Sequence, residues 1–205
     1  MDFVTHSLMG TGAARLICPK REALAPLSLA AVLGSLLQDG DSWLYLLGPN
    51  YYGKYHRVVS HCIWGLALVG LLSALIAWGV TAVRPWRRFG WFVSPNLARD
   101  LRPVRPHFLW FVLVAEVAAC IHWCGDVITG FGNLEPFWPW SSWDASLHAV
   151  TSFDWFIFST TLGWHLLIRQ LEWPRHREAI VSAAYFAIIV LYALARLIWA
   201  EPTVW

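Results

Sequence analysis

Residues 107–128 read HFLWFVLVAEVAACIHWCGDVI, an apolar run broken only by Glu116 until it closes on His122 and Asp126. As an α-helix the run is roughly 33 Å long, enough to cross the roughly 30 Å hydrocarbon core of a bilayer. On that helix His122 and Asp126 are one turn apart on the same face. An imidazole and a carboxylate so placed can share one cation, or bond to each other as a purely structural couple.

The rest of the chain supports a bilayer as the solvent. Of 205 residues, 58% are hydrophobic and only 14% charged, with 15 Trp and a mean hydropathy of +0.50. Soluble domains carry about 25% charged residues. The net charge of +2 is too small to suggest a nucleic-acid partner, and the arginines alternate with prolines instead of lining a face. The four cysteines do not form a disulfide framework. Cys18 stands alone, Cys62 adjoins His61, and Cys120 and Cys124 are four apart on one helix, where a disulfide fits poorly. The start, Met1-Asp2, has no basic region of the kind that opens a cleavable signal peptide.

Working outward, residues 2–17 are short for a span and are expected to form a helix buried in a bundle, with Gly10 and Gly12 allowing close packing. Residues 23–38 form a second short helix ending at the acidic turn Asp39-Gly40-Asp41, and residues 43–48 are expected to lie in the interface before a polar loop, PNYYGKYHR. Residues 59–83 can span with tilt. The histidines of HRVVSH, His56 and His61, stand about 140° apart on a regular helix and cannot both face one ion from it. With Ser60 capping the helix, His56 can fold back over His61. Residues 84–105 form a Pro/Arg loop, and residues 129–152 an aromatic, acidic one suited to the headgroup region. Residues 154–171 and 178–200 complete the spans. The expected fold is all-α, one membrane-embedded domain over residues 1–205, a polytopic bundle of about six helices with two short N-terminal ones and four spans.

Six alternating segments put the loops near residues 15–21, 84–105 and 169–177 on one side, and these hold 12 of the 15 Lys and Arg. The positive-inside rule makes that side cytoplasmic. Four polar clusters then share the extracytoplasmic end: Thr5-His6, Asp39 with Asp41, His56 to His61, and His122 with Asp126. Their imidazoles and carboxylates can supply two or three divalent ions. Mixed nitrogen and oxygen donors suit zinc, with manganese or iron less favoured.

The ordered motifs MDFVTHSLMG, GSLLQDGD (34–41), HRVVSH (56–61) and HWCGDVITGFG with Pro136 downstream resemble the YdjM-type family of membrane-bound metal-dependent hydrolases over roughly residues 1–140. That family is distantly similar to zinc-dependent phospholipase C and the P1-type nucleases. The resemblance implies His6, Asp39, Asp41, His56, His61, His122 and Asp126 as metal ligands. Gln38 stands where the family usually has proline, and Val58 where it usually has glycine. A second His-x-x-x-acid pair is not evident: His148 is followed at four by Ser152, with Asp154 nearby.

The functional expectation is an inner-membrane hydrolase that uses divalent metal, two or three zinc ions, to cleave a phosphate ester of a lipid or lipid-linked substrate. Asp39 and Asp41 would position the water and Arg57 would hold the substrate phosphate, unless Arg57 only snorkels to headgroups. The alternatives are a metal-binding transporter, for which Glu116 deep in a span speaks, or a membrane protein without catalysis. Against transport, the polar residues gather at one end and do not cross the midplane. The sidedness is tested with single-cysteine reporters in intact cells. A cysteine in 84–105 should be shielded from impermeant reagent and one near Asn133 labelled; the reverse pattern would place the site on the cytoplasmic face.

Overall fold

The structure is a computed structural model that describes residues 2–18, 20, 23–83, 106–129, 134–151, 153–170 and 173–199. The expected basic loop at 84–105 and the start of the aromatic loop, with Phe131, lie outside the described residues. Among the described residues there are only helices, and the bundle expected from sequence is observed: α1 (Phe3–Ile17), α2 (Leu24–Leu36), a 3-10 helix (Gln38–Leu47), α3 (Pro49–Tyr55), α4 (Ile63–Ala82), α5 (Phe108–Thr129), α6 (Trp155–Gln170) and α7 (Arg175–Trp199).

Three helical stretches are long and apolar enough to cross a membrane: Ile63–Ala82, Phe108–Thr129 and His176–Trp199. The fourth expected span, over 154–171, is observed as a helix over 155–170, with residue 171 outside the described residues. Helix α6 has 16 described residues, about 24 Å of rise, and Asp154 caps its start by accepting the Ile157 amide at 3.0 Å. Asp154 also accepts the Tyr192 hydroxyl at 2.9 Å, so it ties α6 to α7 and has no part in a second His-x-x-x-acid pair.

Three local expectations are corrected. The acidic turn is not an isolated tight turn but the start of the 3-10 helix, which runs on to Leu47 and leaves Tyr45 and Leu46 exposed. The polar loop after it contains α3, because Gly48 at φ 115 ends the 3-10 helix and Pro49 at the first helical position has its φ already set for the next. Helix α4 starts at Ile63 instead of Val59, capped by the Cys62 sulfur, which accepts the Gly65 amide at 3.3 Å. Ser60 is not the cap because its hydroxyl is used elsewhere. A Cβ on Gly65 would lie 1.8 Å from the Val59 carbonyl oxygen, so the absence of a side chain there lets residues 56–62 fold back over the helix start.

Small residues let the helices around the site approach closely. Ala13, Ala14, Ala30, Ala31, Ala74, Ala77, Ala115 and Ala118 are buried in one apolar cluster with Leu24, Leu27, Phe111 and Val114. In a bilayer such seams hold through close backbone contact, since lipid is as apolar as leucine. Gly10 faces the Ala31 carbonyl and Ser35 of α2, Gly34 of α2 faces the Ala115 carbonyl of α5, and Gly12 faces Phe186 and Trp164. The close packing expected at Gly10 and Gly12 is therefore present. A second cluster, with Met9, Ile157, Trp164, Tyr185 and Ile189, joins α1 to α6 and α7, and Arg15 pairs with Glu178 at 3.6 Å below it.

The α2–α5 contact fixes the distance between Asp39 and the His122–Asp126 pair. A Cβ at Gly34 would lie 2.5 Å from the Ala115 oxygen, whereas one at Gly79 meets nothing within 4 Å. Gly34→Ala should lower stability by about 1–3 kcal/mol, read as a lower thermal midpoint in micelles, with Gly79→Ala unchanged. Equal midpoints for both would contradict the close α2–α5 approach.

Candidate metal centre

Three parts of the chain bring donors to one buried point. Helix α5 presents His122 and Asp126 from a single face, as their spacing predicts. The first turn of the 3-10 helix presents Asp39, and the segment leading into α4 presents His61. One ligand atom from each of these four residues lies within 4.8 Å of all the others, and all four residues are buried. His61 Nε2 is 3.0 Å from Asp126 Oδ2, 3.3 Å from His122 Nε2 and 3.7 Å from Asp39 Oδ1. His122 Nε2 is 3.3 Å from Asp126 Oδ2 and 3.5 Å from Asp39 Oδ1.

The other expected residues surround this quartet. His6, from α1, stacks on His122 with ring centroids 3.6 Å apart and holds Nε2 3.3 Å from Asp126 Oδ1. His56 directs Nε2 toward Asp39 Oδ1 at 3.9 Å, its ring 5.9 Å from that of His61; it does fold back over His61 as the spacing suggested. Asp41 stands one position outward, the most open of the carboxylates here, with its side chain 19% exposed. Arg57 is buried, with Nη2 2.7 Å from Asp126 Oδ1. It therefore does not reach out to headgroups. Its backbone is left-handed, at φ 66, a conformation that costs a residue with a Cβ roughly 1–2 kcal/mol. This backbone conformation accompanies the inward placement of the guanidinium.

Hydrogen bonds outside the quartet fit one assignment of the ring protons. An ionised carboxylate only accepts, so His56 Nδ1–H donates to Asp41 Oδ1 at 2.8 Å and Ser60 Oγ donates its one proton to Asp41 Oδ2 at 3.1 Å. The Ser60 oxygen, 2.9 Å from His61 Nδ1, then accepts from that nitrogen. Both histidines are left with a lone pair on Nε2, facing the centre. This is the arrangement in which metal-binding histidines are held by a neighbouring carboxylate or hydroxyl. The sequence reading placed Asp41 among the ligands and gave Ser60 a capping role; the structure places both where they orient histidines. Tyr52, stacked on His56 at 4.3 Å, was not singled out in the sequence.

Burial opposes the charge of Asp39, yet the hydrogen bond and charge of His122 outweigh it and bring the carboxyl down to about 2. Burial is also the largest influence on His61 and lowers its pKa despite the opposing pull of Asp126. An ionised aspartate and a neutral histidine are the forms that bind metals. With the His61 proton on Nδ1, its Nε2 lone pair and Asp126 Oδ2 would repel at 3.0 Å without a cation between them; with the proton on Nε2 the same pair is a hydrogen bond. The buried Nδ1 of His122 and both ring nitrogens of His6 have no hydrogen-bond partner. The four donors fit a divalent ion.

The remaining candidates lie elsewhere. Glu116 points at α4, where a Cβ on Gly70 would touch its carboxylate. Cys120 and Cys124 are exposed on α5, and none of the four cysteines is disulfide-bonded. His165 meets Thr11 at 3.4 Å, and Asp144 accepts the amides of Leu134 and Ser146.

No curated protein and no solved structure matches the chain. A family model described as YdjM inner membrane protein matches residues 1–202, further than the motifs before residue 140 reach, and its description agrees with three helices fit to cross a membrane. The chain belongs to the YdjM inner membrane protein family.

Proposed function

We propose that this membrane protein is a metal-dependent hydrolase that cleaves a phosphate ester of a lipid or lipid-linked substrate at the extracytoplasmic face of the inner membrane. The observation that carries the reading is the buried quartet of Asp39, His61, His122 and Asp126. Zinc is the ion we assign to it. Four ligands at zinc's bond lengths of 2.0–2.1 Å stand roughly 3.4 Å from one another in a tetrahedron; the five separations that involve His61 or His122 run from 3.0 to 3.7 Å, and all four atoms lie within 4.8 Å of one another. The motif order resembles the YdjM-type family, and the distant similarity of that family to P1-type nucleases and phospholipase C points to the same chemistry.

A divalent ion held there would take water or a phosphoryl oxygen at a fifth position beyond its four protein ligands, and would supply Lewis-acid charge and acidify that water. The chain's own residues do the rest. Asp39 and Asp126 bring two buried negative charges to the ion, and His61 and His122 complete its ligands. Asp41 and Ser60 keep His61 Nε2 unprotonated and aimed inward. Asp41 also holds His56, whose Nε2 is directed at Asp39 Oδ1 across 3.9 Å on the Asp41 side of the centre, where a substrate water can hydrogen-bond to it. That side continues outward from His56 through Tyr52 to Tyr45, whose ring lies 5.6 Å from that of Tyr52. Exposed Tyr45, Leu46 and Tyr51 are side chains suited to the headgroup layer, which favours a lipid-borne phosphate over a free one.

The transporter alternative predicts a different critical residue. In a hydrolase, Asp39→Asn should abolish phosphate-ester hydrolysis in micelles, Asp41→Asn should lower it by about 10–100-fold through loss of histidine orientation, and Glu116→Gln should change it little. A transporter would instead show metal uptake into proteoliposomes that Glu116→Gln stops. Uptake of that kind, with no hydrolysis of any phosphate-ester lipid tested, would overturn the proposal.

A further inference from the structure

Asp126 faces two ways. Its Oδ2 lies 3.0 Å from His61 Nε2 and 3.3 Å from His122 Nε2, while Oδ1 lies 2.7 Å from Arg57 Nη2 and 3.3 Å from His6 Nε2. One oxygen belongs to the quartet and the other to a guanidinium. Both side chains of the ion pair are buried, 3% and 0% exposed, so the contact is charge-assisted and weakly screened.

A bridging aspartate is the usual means of joining two ions, each oxygen holding one, and His6 beside Oδ1 would be a natural ligand of the second. Arg57 stands where that second ion would have to be. Its charge is permanent, since guanidinium does not deprotonate in proteins, and its inward direction goes with the left-handed backbone at φ 66. A divalent cation at Oδ1 would have to displace Arg57 into an apolar bundle or share a low-dielectric site with it.

We infer that the centre holds one divalent ion, and that Arg57 is a fixed cation in the place of a second, limiting Asp126 to one-oxygen ligation through Oδ2. This rests on the quartet binding a metal, as proposed above. Arg57 is thereby a positioning residue for Asp126 and supplies the positive charge that a two-metal centre takes from its other ion. The two or three ions expected from the number of donors are reduced to one by the guanidinium.

The test is zinc stoichiometry of the full-length protein in detergent, stripped with chelator and then dialysed against a range of zinc concentrations. Wild type and Arg57→Lys, which keeps the charge, should saturate at one zinc per chain. Arg57→Gln should take up a second, and His6→Ala added to it should return the count to one. Two tightly bound ions in wild type, or an Arg57→Gln protein that still stops at one, would overturn the inference while leaving the metal reading intact. No zinc in any form would overturn the metal reading itself. Should Arg57→Gln not fold, wild type loaded with excess Mn2+ still decides: the spectrum of an isolated ion is expected in electron paramagnetic resonance, and that of an exchange-coupled pair would contradict it.

Discussion

His61 Nε2 and Asp126 Oδ2 face each other at 3.0 Å; with the His61 proton on Nδ1 their lone pairs repel unless a cation lies between them, and the surrounding chain favours that tautomer. The proton that would relieve the repulsion is held away, since His61 Nδ1–H donates to Ser60 and Ser60 donates to Asp41. Asp39 and His122 close on the same point. Burying unpaired charges of this kind costs several kcal/mol each, so an apolar bundle retains them only with a compensating positive charge. Arg57 compensates one side of Asp126. The side facing the histidines is left for a cation.

The bundle around the centre is shaped by that requirement. Donors from α5, the 3-10 helix and the segment before α4 converge only if α2 lies close to α5 and the loop before α4 folds tightly. Gly34 against the Ala115 carbonyl meets the first condition and Gly65 beneath Val59 the second. The same small residues that replace hydrophobic driving force in a membrane therefore set the ligand spacing. The 3-10 helix keeps Asp39 inward and Asp41 one step outward, so neighbouring carboxylates with the same chemistry take different roles, one at the quartet and one holding histidines.

Much of this was legible in the sequence because charges and imidazoles are rare in apolar helices and stand out when they occur. His122 and Asp126 share a face by helix periodicity alone, and the other clusters fall at the same end of the alternating segments. The roles inside the site were less legible, since they depend on contacts distant in sequence. Ser60 reads as a helix cap until Asp41 takes its hydroxyl, and α4 consequently starts at Ile63. Arg57 reads as a phosphate or headgroup contact, because nothing in HRVVSH announces a left-handed backbone that accompanies its inward placement. Helix α3 was hidden by the polarity of PNYYGKY, where only Pro49 marks a start. The Asp154 cap at the start of α6 is likewise a contact that hydropathy does not register.

The central claim is that two imidazoles and two carboxylates hold one ion, and X-ray absorption at the zinc edge of the loaded protein measures this most directly. The account predicts four nitrogen and oxygen neighbours at about 2.0–2.1 Å, with the outer scattering of two imidazole rings, and loss of one ring's contribution in His122→Ala. A six-oxygen shell without imidazole scattering, or sulfur neighbours at about 2.3 Å, would contradict it.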